Sequence, residues 1–197
     1  MKQYLESTEY IDWDSPEIIE LAESLKTGLV SDADITKVCF EYVRDSIMHT
    51  SDFQIDIITS KASDVLRHKT GYCYAKSHLL AALLRANKIP AGLCYQRLSQ
   101  TGRGGPYCLH GLNAVYLSQY GWYRVDARGN KEGVNSDFIP PVEQLAWPIN
   151  EPVSSTGLEE FDIQGIWAEP LQPVLSVLQG YNSYRDVDNN LPDIEQF

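Results

Sequence analysis

The chain has 197 residues, a formal net charge of −11 at pH 7 and a hydrophobic content of 43%. These values are typical of one globular domain, and the acidity excludes nucleic acid and membrane as expected partners, because both are bound through clustered Lys and Arg. No segment has the pattern of a signal peptide or the length of a membrane span, so we expect a cytoplasmic protein whose four cysteines are reduced thiols.

Helices are predicted over much of the first half of the chain. Ser15 suits an N-cap, Pro16 the first helical position, and Gly28 the end of the first helix. Cys39 falls on the apolar face of the second helix, which is typical of a core residue. The predicted helices are residues 15–28, 31–47, 61–71 and 73–87, with a loop or short strand over 48–60.

Strands are predicted after the fourth helix. β-branched and aromatic residues indicate strands over 92–98, 112–117 and 121–126, and a glycine-rich connection over 99–107 separates the first two. The sequence becomes rich in Pro, Asn and acidic residues beyond residue 130. We therefore expect a core over residues 1–130 and a C-terminal extension over 131–197 that wraps the core without forming an independent domain, its last residues (185–197) being mobile.

Three side chains occupy positions that suit nucleophilic catalysis. Cys73 begins the fourth helix, where the positive end of the helix dipole favours a thiolate. His110 precedes the second strand and could take the thiol proton, while Asp126 ends the third strand and could hold the imidazole in the required tautomer.

The predicted hairpin between the second and third strands determines whether His110 and Asp126 lie on the same face of the sheet. His110 and Asp126 share a face only if the connecting loop has an odd number of residues, because side chains alternate along strands. A loop of Ser118, Gln119 and Tyr120, with Gly121 at a positive φ, satisfies this condition. Asp126 is then diagonal to His110 across the strands, within side-chain reach.

Three stretches of the sequence together resemble the transglutaminase-like superfamily, bacterial transglutaminase-core proteins in particular. They are "GYCYAKSHLLAALLRANKIPAG", "HGLNAVYL" and "GWYRVDARGN", and the resemblance covers about residues 61–130. It implies a papain-like α+β fold, in which N-terminal helices and the catalytic helix pack on an antiparallel sheet. Cys73 is then the nucleophile, His110 the base and Asp126 the orienting carboxylate of a thioester mechanism.

The sequence departs from the family pattern near two of these residues. Leu112 stands where an aromatic residue is usual, Ala114 where an acidic residue is common, and Ala127-Arg128 replaces the usual Pro-Thr after the aspartate. These changes leave Cys73, His110 and Asp126 in place but alter their surroundings, and with them the inference about the substrate.

Three functions are compatible with this pattern. The leading hypothesis is hydrolysis of an amide or peptide bond in a peptide, protein or small amide; the alternatives are transfer of the acyl group to an amine, and a binding module that keeps the fold without turnover. An oxyanion would be bound by the Cys73 N–H and by Gln54 or Tyr72. Arg128 and Asn130 are the expected polar contacts at the rim of the site.

Other titratable residues near the motif have structural interpretations. We expect no cofactor and no metal, because Cys108-Leu109-His110 has no second ligand pair at zinc spacing. His78 follows Cys73 by five residues and is expected to be packed or exposed rather than catalytic. Nothing in the sequence indicates the oligomeric state.

Overall fold

The N-terminal part of the protein is helical, in a computed structural model that describes residues 1–150 and 159–193. A short 3-10 helix (Lys2–Leu5) is followed by α1 (Pro16–Leu25), α2 (Asp32–Ser46) and α3 (Ala62–His68). Pro16 occupies the first position of α1, and the Ser31 hydroxyl caps α2 by accepting from the Asp34 N–H at 3.0 Å.

The fourth helix, α4 (Cys73–Ala86), forms the centre of the core. Every residue from Cys73 to Arg85 is buried, because α1, α2 and α3 pack against one side of α4 and the sheet packs against the other. Its buried polar side chains bond to backbone carbonyls: Lys76 Nζ donates to Ile47 O at 2.5 Å, and His78 Nδ1 lies 2.7 Å from Ser60 O. His78 is therefore a packed residue, as the sequence indicates.

The sheet beside α4 has four antiparallel strands: β3 (Ala91–Ser99), β4 (Tyr107–Leu117), β5 (Gly121–Val125) and β8 (Phe161–Trp167). Their order across the sheet is β5-β4-β3-β8. Alternate side chains of β3 and β4, such as Leu93, Tyr95 and Leu109, join the core that contains α4. This architecture confirms the predicted α+β class.

The β4–β5 hairpin has the predicted register. Leu117 pairs with Gly121, so the loop is Ser118–Tyr120, and Gly121 has a φ of 76°. Continued by one pair beyond Asn113 and Val125, this register places Asp126 opposite Leu112 and diagonal to His110.

Several small elements complete the molecule. Two residues of β1 (Met48–His49) pair in parallel with β2 (Thr70–Gly71), so the segment before α4 lies beside the end of α2. A second hairpin consists of β6 (Asp137–Ile139) and β7 (Val142–Gln144), and the helices α5 (Gln172–Gly180) and α6 (Tyr184–Asp188) follow β8. No helix in the described residues is long and apolar enough to cross a bilayer.

β8 was not predicted from the sequence. β8 contains Gly165 at a φ of 136° beside a register shift in β3, so its alternation of apolar residues is broken. Near the end of the chain Tyr184–Asp188 form α6, and Pro192 O accepts from the Leu109 N–H at 2.7 Å, while the mobility expected for residues 185–197 stays a prediction. Residues 194–197 lie outside the described part, and the division of the chain at residue 130 stays a prediction.

Candidate active site

Cys73 lies where α4 begins, next to the middle of β4. Its side chain is buried, with 7% of the residue exposed, and its Sγ lies 3.5 Å from the Gly111 N–H. As the first helical residue, Cys73 also has an N–H that finds no carbonyl partner within the helix. The sulfur is therefore held between the helix start and the backbone of β4, where both partners favour negative charge.

Gly111 permits this close approach of strand and helix. A Cβ at Gly111 would lie 2.8 Å from Tyr74 Cδ1 and 3.0 Å from Tyr74 Cα. The Tyr74 hydroxyl donates to the Leu109 carbonyl and so ties the same stretch of β4 to the first turn of α4. A side chain at position 111 would push β4 away from Cys73.

His110 and Asp126 form a buried pair beside this sulfur. His110 Nε2 lies 2.7 Å from Asp126 Oδ2, and 4% and 0% of the two side chains are exposed. The backbone N–H groups of Arg128 and Ala146 each donate to the Asp126 carboxylate at 3.0 Å. With Nε2 engaged by Asp126, Nδ1 of His110 is the ring nitrogen left to interact with Cys73.

The charges of this pair stabilise each other. Burial alone lowers the pKa of His110, but the Asp126 carboxylate and Cys73 together raise that pKa to about 10. Burial alone raises the pKa of Asp126, but His110 and the two backbone donors hold that pKa below its usual value. At neutral pH the imidazole is therefore a cation between a carboxylate and a sulfur atom.

A cleft of about 520 Å³ opens beside these residues. Its walls come from the α2–α3 connection, the start of α4, the ends of β3 and β4, and the C-terminal segment. The residues that line it are His49, Ser51, Tyr72, Cys73, Tyr74, Leu98, Ser99, Gln100, Gly102, Cys108, Leu109, His110, Arg128, Trp147, Pro148, Asn150, Glu160, Asp188 and Leu191. A ligand in this cleft has access to the sulfur.

Two of the four predicted substrate or oxyanion residues line the cleft. The Tyr72 hydroxyl lies 2.8 Å from Asp188 Oδ1 and 2.9 Å from Tyr184 O, so the C-terminal helix already binds it. Both terminal nitrogens of Arg128 donate to the Asp52 carboxylate, at 2.5 and 2.9 Å. Arg128 therefore forms part of the wall as a paired cation.

The structure does not bring the other two residues to the cleft. Gln54 lies on an exposed turn with a φ of 53°, and it is absent from the described lining. Asn130 is also exposed, and its amide donates to Ser136 O at 3.2 Å while its Oδ1 accepts from the Ser136 N–H at 2.8 Å. The Asn130 side chain is therefore bonded within its own loop, and the oxyanion role of Gln54 stays a prediction.

Two lining residues escaped the sequence analysis. The Trp147 ring meets the His110 ring edge-on at a centroid distance of 4.9 Å, and the Arg128 guanidinium lies 5.1 Å from the Trp147 ring centre. The ring centres of His49 and Tyr72 lie 5.5 Å apart. Burial, and to a smaller extent the charge of Arg128, lowers the pKa of His49 well below its usual value. Neither residue stands in a recognisable motif, and long-range packing alone brings both to the cleft.

The remaining thiols and metal ligands are scattered. Among residues 1–150 and 159–193, no three His, Cys, Asp or Glu side chains lie close enough together to hold a metal ion. Cys108 lines the cleft, but burial raises its pKa to about 12. Cys39 lies in the core, where burial likewise raises its pKa to about 12.

The family comparison agrees with the resemblance read from the motifs. The model of the transglutaminase-like superfamily matches residues 19–127, which is more than half of the chain and includes Cys73, His110 and Asp126. A comparison with curated protein sequences gives no match.

Three solved structures are similar to parts of the chain. A candidate cysteine protease from Cytophaga hutchinsonii has a TM-score of 0.50 and 20% identity, over 64% of this chain and 40% of that protein. The periplasmic domain of TgpA from Pseudomonas aeruginosa has a TM-score of 0.46 and 18% identity, over 63% of this chain and 45% of that domain. A candidate protease from Parabacteroides distasonis has a TM-score of 0.44 and 12% identity, over 75% of this chain and 30% of that protein. The chain spans less than half the length of each, and the first likeness confirms the predicted fold.

Proposed function

Because the chain belongs to the transglutaminase-like superfamily, we propose that it is a cysteine-dependent hydrolase of amide or peptide bonds. Cys73 is the nucleophile, His110 the general base and acid, and Asp126 the carboxylate that orients the imidazole. The observation that carries this proposal is that the buried His110–Asp126 pair and the Cys73 sulfur, which is bound by the N–H of the residue next to His110, meet at the wall of one cleft.

The first half of the reaction forms a thioester. The Cys73 sulfur attacks the carbonyl carbon of the amide, while the imidazolium of His110 holds the proton. The negative charge on the carbonyl oxygen is stabilised by backbone N–H groups at the start of α4. When the C–N bond breaks, His110 gives its proton to the departing nitrogen and the amine leaves.

The second half returns the enzyme to its starting state. His110 takes a proton from a water molecule, which attacks the thioester carbon, and the acid leaves as the C–S bond breaks. Asp126 keeps Nε2 engaged throughout, so Nδ1 always faces the sulfur. The edge-on Trp147 limits the access of water to the imidazole while it holds the proton.

Product analysis by mass spectrometry tests this function. A peptide library incubated with the protein should yield hydrolysed products, and Cys73→Ala should yield none. Incorporation of an added primary amine as the main product would replace hydrolysis by acyl transfer through the same thioester. Turnover that persists in Cys73→Ala would refute the mechanism, and binding without any turnover would favour a binding module.

A further inference from the structure

The C-terminal segment lies on the part of β4 that is nearest to Cys73. β5 pairs with β4 only from Asn113 to Leu117, so the same edge of β4 is not covered by β5 at Leu109 and Gly111. At Leu109, the backbone N–H instead donates to Pro192 O at 2.7 Å. The end of the chain thus takes the place that a neighbouring strand would occupy.

The contact at Leu109 lies two residues along β4 from Gly111, the residue whose N–H faces the sulfur. The N–H groups of Leu109 and Gly111 point to the same side of β4, because backbone directions repeat every second residue, about 7 Å apart along the strand. The Gly111 N–H faces Cys73 Sγ at 3.5 Å. A carbonyl bound to Leu109 therefore belongs to a chain that runs directly past the nucleophile.

Side-chain contacts hold the segment in place. Asp193 accepts two hydrogen bonds from Arg97, at 2.6 and 2.7 Å, and the Arg97 side chain is only 3% exposed. Asp188 binds the Tyr72 hydroxyl at 2.8 Å and the Ser51 hydroxyl at 2.7 Å. Asp188 and the nearby Leu191 both line the cleft.

We propose that the edge of β4 at Leu109 is a subsite for the backbone of an extended polypeptide substrate, and that the chain's own segment Leu191–Asp193 occupies it in competition with that substrate. This proposal rests on the proposed function, since it gives the substrate class of the same cleft. A backbone N–H at a strand edge binds a carbonyl of an extended chain with little dependence on sequence, and at Leu109 this N–H is the available group because the Tyr74 hydroxyl donates to the Leu109 carbonyl. A small amide has no second backbone carbonyl to offer to Leu109, so polypeptides are favoured.

Hydrogen exchange at the Leu109 amide tests occupancy of the subsite without any chemistry. The variants are Asp193→Asn, which weakens the contact with Arg97, and Asp193→Lys, which repels Arg97, both in a Cys73→Ala background. Asp64→Asn is the matched control, because it makes the same charge change and removes an exposed partner of Arg67 at 2.9 Å. Two probes are added in excess: a synthetic peptide of residues 189–197, and unfolded casein.

We expect exchange at Leu109 to accelerate about 10- to 100-fold in both Asp193 variants, the factor expected for losing hydrogen bonds to a charged group, and to stay unchanged in Asp64→Asn. Either probe should restore the slow exchange. Slow exchange in Asp193→Lys would show that the segment does not hold this edge. Fast exchange that casein fails to slow would show that the edge is not a polypeptide subsite.

Failure of the proposed function gives a different result. With Cys73 present, Asp193→Asn should raise kcat/KM on unfolded casein about tenfold over Asp64→Asn. If casein restores slow exchange but is never converted, the subsite stands and the hydrolase proposal falls. If casein is converted while the Asp193 variants match the control in both measurements, the hydrolase stands and the competing segment falls.

Discussion

Gly111→Ala perturbs the contact that brings β4 to the nucleophile. The added methyl group would lie 2.8 Å from Tyr74 Cδ1, 3.0 Å from Tyr74 Cα and 3.2 Å from Tyr74 N. Two of these atoms are backbone of the first turn of α4, so rotation of a side chain cannot relieve the overlap. We expect β4 to move away from α4, and with it His110, which adjoins position 111.

The magnitude follows from the overlap. Overpacking of a core by a methyl group costs about 1–3 kcal/mol. For a domain of this size each 1 kcal/mol lowers Tm by about 2–4 °C, so the variant should melt about 2–12 °C below the wild type. A displacement of about 1 Å between reacting groups costs about 100-fold in rate, so turnover should fall by much more than the loss of folded protein explains.

Calorimetry and steady-state kinetics at a temperature where both proteins are folded measure the two effects. Gly180→Ala is the matched control, because a Cβ there meets nothing within 4 Å and its φ is not positive, so Tm should stay the same or rise slightly. A Gly111→Ala variant with the Tm and turnover of the wild type would refute the close-approach argument.

Further predictions concern three residues: Asp126, Trp147 and Arg128. Asp126→Asn should lower turnover at least about 100-fold. The raised pKa of His110 means that the protonated imidazole stabilises the folded state fully below about pH 6.5, and that this stabilisation is lost as the pH rises to about 10. Urea titrations should show this loss in the wild type and not in Asp126→Asn. Trp147→Ala should lower kcat about 10-fold and Trp147→Phe less, because a ring still meets His110 edge-on; equal losses in stopped-flow assays would contradict this. Arg128→Gln should cost about 1–2 kcal/mol in chemical denaturation, because Asp52 loses its bidentate partner but keeps Lys131 at 2.6 Å; an unchanged midpoint would count against that pair.

Local rules explain what the sequence predicted well. The parity of the β4–β5 hairpin follows from the three-residue loop and the positive φ of Gly121, so the diagonal relation of His110 and Asp126 could be deduced before the structure was known. The start of α4 at Cys73 was equally readable, because Gly71 and a long apolar helix flank it.

Long-range packing explains what the sequence did not reveal. Trp147 reaches His110 from a segment with no motif, and β8 pairs with β3 across more than sixty residues with a bulge at Gly165. Gln54 was expected as an oxyanion donor, but it lies on an exposed turn. Contacts of this kind depend on how elements dock, which neither periodicity nor spacing encodes.

Alkylation of Cys73 by iodoacetamide at pH 6, followed by peptide mass mapping, tests the central claim most directly. The other three thiols are internal references, because burial raises the pKa of each to about 12: Cys39, Cys94 and Cys108. Pairing of the sulfur with the His110 cation predicts that Cys73 is labelled first and that His110→Ala slows this labelling at least about tenfold, which corresponds to about 1.4 kcal/mol of thiolate stabilisation. The account would be contradicted if Cys73 reacted no faster than the reference thiols, or if its labelling rate were the same in the wild type and in His110→Ala.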